Sequence, residues 1–75
     1  MKDHVWNLFY RPTHHSLDFI GTFNNRPSAV IGAWTDTKER ANIPWVTFPD
    51  VVHRHSPGDY QRPGVYIVCK TKVRP

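Results

Sequence analysis

The sequence contains one cysteine, Cys69, and no apolar run near the length of about 18 residues that spans a membrane. A single cysteine excludes an internal disulfide and a zinc site built from several cysteines. Small secreted domains usually depend on disulfides, so we expect a reducing compartment, the cytoplasm. Residues 1–6 offer no apolar stretch of the kind that a signal peptide needs.

The sequence also lacks the motifs of common catalytic sites. Its four glycines are isolated, so it has neither a phosphate-binding loop nor a dinucleotide-binding fingerprint. The six acidic residues are scattered singly, which argues against a hydrolase with paired carboxylates. Cys69 falls on the apolar side of a predicted strand, where burial raises the pKa of a thiol and makes it a poor nucleophile. We therefore expect no catalysis and no cofactor.

Cations and aromatic rings are what the chain does have. Its 75 residues include ten Lys and Arg against six Asp and Glu, a net charge of +4, with three Trp, four Phe and three Tyr. This length predicts one domain with a thin core, which large rings help to close. A cationic surface favours acidic partners such as nucleic acid or an acidic protein surface.

The first third of the chain has the pattern of a β-hairpin. Residues 4–11 are rich in β-branched and aromatic side chains, and alternation places Trp6, Leu8 and Tyr10 on the expected core face. A turn at residues 13–16 is followed by a second predicted strand over residues 17–23, which we expect to pair with the first.

The middle of the chain has two interpretations. Asn25, as a cap ahead of Pro27, favours a helix over residues 27–41 that Pro44 ends. Alternatively, residues 29–34 form a strand, and Asp36 caps a shorter helix. Gly32 and the β-branched residues before it weaken the long helix, which nevertheless remains our preferred prediction.

The final segment is the clearest strand in the sequence. After extended chain over residues 45–53 and turns at residues 56–59 and 62–64, alternation over residues 65–73 predicts a half-buried strand with one basic face. The apolar side comprises Val65, Ile67, Cys69, Thr71 and Val73, and the basic side comprises Tyr66, Val68, Lys70, Lys72 and Arg74. The predicted fold class is α+β: a small antiparallel sheet of three or four strands with one helix packed across it, in a single domain.

Five histidines raise the question of a metal site. His53 and His55 have the i, i+2 spacing that puts two imidazoles on one face of a strand, whereas His14 and His15 point to opposite faces. Two ligands do not complete a zinc site, so we expect no metal and interpret these residues as polar loop side chains.

The candidate binding residues are cations and rings expected at the surface. A basic stripe beside an aromatic ring is typical of nucleic-acid binding, although an edge strand also carries charges merely to avoid pairing. Surface Trp, Tyr and Arg are typical of protein interfaces. The predicted partner-binding residues are Trp6, Arg11, His14, His15, Trp45, Tyr66, Lys70, Lys72 and Arg74.

The tail, VYIVCKTKVRP over residues 65–75, resembles the ends of some phage inhibitors of RNA polymerase. In length, composition and overall pattern, the chain resembles the small transcription regulators and antiterminators of lytic phages, of the Xanthomonas phage type. This resemblance implies a monomer in the host cytoplasm that docks on the β′ and β subunits of RNA polymerase, inhibits initiation and suppresses termination. The other interpretations are a direct DNA- or RNA-binding module and an inhibitor of another host system, such as CRISPR immunity.

Overall fold

The computed structural model describes residues 3–42 and 47–73. Within these ranges the chain forms β1 (His4–Arg11), β2 (Asp18–Phe23), α1 (Arg26–Ala41), β3 (Val51–Arg54), a short 3₁₀ turn (Pro57–Asp59) and β4 (Val65–Lys72). The strands form one sheet in the order β2-β1-β4-β3. The predicted α+β class, with one helix against a small sheet, is confirmed.

The two central strands are β1 and β4, which pair antiparallel along their whole length, from His4 opposite Lys72 to Arg11 opposite Val65. The predicted hairpin is present, since β2 pairs antiparallel with the other side of β1. The register of the hairpin shifts between Leu8 and Phe9, where an irregularity interrupts the ladder.

The fourth strand differs from the prediction of a wholly antiparallel sheet, because β3 lies parallel to β4. Residues 45–53 carry no alternation strong enough to indicate this strand, and local patterns contain no information on strand direction. Residues 55–64 connect the two parallel strands. This connection contains the 3₁₀ turn, whose start is capped by the side chains of Ser56 and Asp59.

The helix follows the preferred prediction, and the strand proposed for residues 29–34 is wrong. Asn25 caps the helix by accepting a hydrogen bond from the Ser28 N–H at 2.8 Å. At the other end Asn42 adopts a left-handed conformation, with φ 54°, and its N–H donates to Lys38. Pro44, the predicted terminator, lies outside the described residues. No helix in the described ranges is long and apolar enough to cross a membrane.

Gly32, which weakened the helix prediction, has a packing role. A Cβ atom at this position would lie 2.4 Å from Cζ of Phe23, so only glycine lets α1 approach β2 this closely. The core between helix and sheet contains Leu8, Ala29, Ala33, Tyr66 and Val68, with Trp6 and Tyr10 packed at its margin. The predicted core face of β1 is therefore confirmed.

The last strand is more buried than predicted. Tyr66 and Val68, on the predicted basic side, are buried against the helix, whereas Val65, Ile67 and Cys69, on the face away from the helix, are buried as predicted. The connection of residues 55–64 lies on that side, where its 3₁₀ turn contacts β4. Only the last three residues of the strand, from Lys70 onward, are exposed.

Candidate functional site

A groove of about 640 Å³ opens on the helix side of the sheet, next to the N-terminal end of α1. We call it the basic groove. It is lined by His4, Trp6, Arg26, His53, Arg54, His55, Val68, Lys70 and Lys72. This lining contains no carboxylate, so its fixed charges are all positive.

Strand register places these side chains on one face. Antiparallel pairing sets His4 opposite Lys72 and Trp6 opposite Lys70, and directly opposed residues project on the same side of a sheet. The helix contacts the first half of β4, where Tyr66 donates a hydrogen bond to Asp36 in the middle of α1. Because α1 begins only at Arg26, the second half of β4 is left uncovered.

Trp6 and Lys70 form the centre of the groove. The Lys70 ammonium lies 5.6 Å from the centroid of the Trp6 ring, within the range of a cation–π interaction. The half-buried Trp6 also lines a smaller adjoining depression of about 300 Å³, together with Lys70 and Asn25. The ring therefore borders two concave surfaces.

Four cations line the groove, and among the described residues none of them forms an ion pair. In the part of the chain that the structure describes, ion pairs join Arg40 to Asp18 and Asp36, and Arg62 to Asp50. The Arg54 guanidinium instead lies 4.9 Å from the centroid of the Tyr60 ring. The cations that remain for an anionic ligand are Arg26, Lys70 and Lys72.

The positive charge of the groove also affects the pKa of His53. Desolvation of the imidazole, and secondarily the positive charge of Arg26, lower the pKa of His53 from its ordinary 6.5. His53 is therefore mostly neutral at pH 7. The predicted sharing of one face by His53 and His55 agrees with their joint place in its lining. Among the described residues, no three potential metal ligands cluster.

The structure corrects the assignment of Tyr66 as an exposed partner-binding ring. Tyr66 is only 2% exposed, and its ring packs against Tyr10 with centroids 4.7 Å apart. Burial, together with the hydrogen bond to Asp36, raises the pKa of Tyr66 to about 12. The residue lies on the side of β4 that was predicted, but the helix covers it there.

The structure also corrects the assignment of Arg11 as a partner-binding residue. It is 6% exposed, and its guanidinium donates to four backbone carbonyls, those of His14, Ser16, Pro57 and Tyr60. These bonds tie the loop after β1 to the connection before β4, so Arg11 is structural and not part of a surface rim. His14 and His15 remain exposed in that loop, and His14 contacts the Gln61 carbonyl through Nδ1.

Three of the predicted binding residues thus converge in the basic groove: Trp6, Lys70 and Lys72. Trp45 and Arg74 lie outside the described residues. Sequence reasoning missed Arg26 and His4 as members of the site and considered His53 and His55 only as metal ligands. The cap at Asn25 placed Arg26 at the start of a helix, but its proximity to β4 depends on tertiary packing.

A second surface feature lies on the face of the sheet away from the helix. Phe9 and Phe19 form an edge-to-face pair with ring centroids 5.4 Å apart, and Phe19 is 59% exposed. Cys69 points to the same side of the sheet but is buried, as expected. Burial, with a smaller effect from the charge of Asp59, raises the pKa of its thiol.

Comparisons of the chain with protein-family models, with curated proteins and with solved structures find no match.

Proposed function

We propose that this chain is a small, non-catalytic regulatory protein that binds nucleic acid in the basic groove. The observation that carries this proposal is the convergence of Arg26, Lys70 and Lys72 around Trp6, in a lining without a carboxylate. Three like charges around one concave surface repel each other, and a phosphate backbone relieves that repulsion. We place this activity in the cytoplasm of a bacterial host.

Phosphate neutralisation accounts for both the affinity and its salt dependence. A single strand that contacts three cations releases condensed counterions, giving a log–log salt slope of about −2. A salt slope this small indicates that the protein binds free nucleic acid with only modest affinity. The protein would then act on nucleic acid that another component already holds, as in a transcription complex.

The proposal is tested by fluorescence anisotropy with a labelled oligonucleotide, comparing the wild type with a Lys70→Gln/Lys72→Gln variant. Both lysines are exposed, so the substitutions leave the core intact. We expect the variant to lose most of the affinity and most of the salt slope. The matched control is Lys38→Gln, because Lys38 lies 5.2 Å from the Trp34 ring outside the groove and resembles Lys70 in its setting. Equal losses in both variants, or no binding by the wild type, would overturn the proposal.

A second candidate function, supported by a different observation, is docking on a host protein complex, with RNA polymerase β′ and β subunits as the first candidate. The pair formed by the half-buried Phe9 and the exposed Phe19 lies on the sheet face opposite to the groove, so both surfaces could be engaged together. Exposed aromatic rings are common anchors of protein interfaces. Purified polymerase should retain the wild-type chain and lose Phe19→Ser, while Lys70→Gln/Lys72→Gln remains bound; unchanged retention of Phe19→Ser would exclude this face.

A further inference from the structure

We infer that the basic groove selects single-stranded nucleic acid, with Trp6 as the platform on which an unpaired base stacks. This inference rests on the proposed function and specifies its ligand. It assigns the stacking role to Trp6 in place of Tyr66, whose ring is buried and whose hydroxyl is hydrogen-bonded to Asp36.

The fixed position of the Trp6 ring makes it a suitable stacking surface. Trp6 is half-buried, borders both the groove and the adjoining depression, and is packed against the core from below. A ring held in this way is presented as a fixed surface, so stacking on it costs little conformational entropy. Base–aromatic stacking is tolerant of sequence, because every base has a π-face.

Cations surround the Trp6 ring. Lys70 is directly opposite Trp6 in the sheet, Lys72 lies two residues further along the same strand face, and Arg26 lines the same groove from the helix. The lysine ammonium that lies on the indole can move to a phosphate when a base takes its place on the ring. Proteins that bind single-stranded nucleic acid combine aromatic rings with neighbouring cations in this way.

The concave shape of the site also favours an unpaired strand. A groove of about 640 Å³ is within the size range of small-molecule pockets, roughly 300–1,000 Å³, so it accommodates one or two nucleotides. In a duplex the bases are stacked on each other and offer no free face. A duplex can reach cations at the rim of the groove, but it cannot use the ring at the centre.

The test compares three anions by competition: a single-stranded oligothymidylate of about ten nucleotides, its duplex with oligoadenylate, and inorganic polyphosphate. We expect the single strand to bind about tenfold more tightly than either competitor, and Trp6→Leu to abolish that preference. Leucine keeps an apolar contact with the core, and Trp6→Phe should restore part of the preference. Trp34→Leu is the matched control, because Trp34 stacks on Phe48 away from the groove.

The outcomes separate the inference from the proposed function. Binding of all three anions with equal affinity would overturn the inference and leave the basic groove as a general anion site. A preference that survives Trp6→Leu would overturn the stacking role of Trp6. Absence of binding to any of the three would overturn the proposed function itself. Circular dichroism of each variant establishes that it is folded before its affinities are compared. If Trp6→Leu does not fold, the single-strand preference of Trp6→Phe is compared with that of the wild type instead.

Discussion

Trp6 and Lys70 are directly opposed across β1 and β4, with the Lys70 ammonium 5.6 Å from the centroid of the indole. Each was identified from sequence as a separate surface candidate, but the register of two strands makes them one unit. The unit is exposed because α1 begins at Arg26 and covers the sheet only beyond this point. The accessibility of this unit therefore depends on where the helix starts relative to the last strand.

We predict that Arg11→Lys destabilises the fold by about 2 kcal/mol. Lysine has no planar guanidinium group that can donate to four carbonyls at once, so buried acceptors in two loops would lose their donors. Urea denaturation followed by tryptophan fluorescence measures the change. Arg62→Lys is the control: its ion pair with Asp50 is exposed and 3.7 Å long, so a change below about 0.5 kcal/mol is expected. A similarly small effect at Arg11 would contradict its structural role.

We predict that Gly32→Ala destabilises the protein by about 1 kcal/mol, although alanine is the better helix former. The new Cβ would lie 2.4 Å from the Phe23 ring, which must move. Thermal unfolding measures the effect, and Phe23→Leu combined with Gly32→Ala should cost less than the sum of the two single changes. Gly58→Ala is the control, since its nearest neighbour would be 3.9 Å away. Stabilisation by Gly32→Ala would show that helix and hairpin are not packed this closely.

Local patterns were sufficient to predict the hairpin, the cap at Asn25, the helix and the alternation of the last strand. These features depend on residues near one another in sequence. The parallel pairing of β3 was not predictable in this way, because it depends on the path of residues 55–64. The burial of Tyr66 likewise depends on the helix lying over one half of β4, which no pattern within the strand indicates.

We predict that oligonucleotide affinity rises as pH falls from about 7.5 to about 5.5, because His53 is among the groups that gain protons. The direction of this pH effect follows from the lowered pKa of His53, because the free protein holds the ring neutral at pH 7. A bound anion raises this pKa, so the complex takes up protons and is favoured at lower pH. His53 faces Arg26 of the helix, Lys70 and Lys72 of β4, and His4 and His55 within the same groove.

The measurement is the dissociation constant across this pH range for the wild type and for His53→Gln. The variant should show a flatter pH dependence. His15→Gln is the matched control, since His15 is exposed in the loop after β1. A wild-type affinity independent of pH would contradict a role for His53 in the binding site.

We predict that Cys69 reacts with a disulfide reagent only when the protein opens. The thiol is 3% exposed and its pKa is raised by burial, so both access and thiolate formation are unfavourable. The rate of this thiol–disulfide exchange should rise with urea in parallel with unfolding, and Arg11→Lys should accelerate it by loosening residues 55–64. Rapid labelling of the native protein would show that this connection does not protect the sheet.

The most direct test of the basic groove as the binding site is an NMR titration of the labelled protein with single-stranded oligonucleotide. The account predicts that shift changes concentrate at the start of β1, the start of α1, the end of β3 and the second half of β4, with Trp6, Arg26 and Lys70 among the largest. The amides of Phe9 and Phe19, on the opposite face, should move little. Changes centred on those two residues, or spread evenly over the chain, would contradict it.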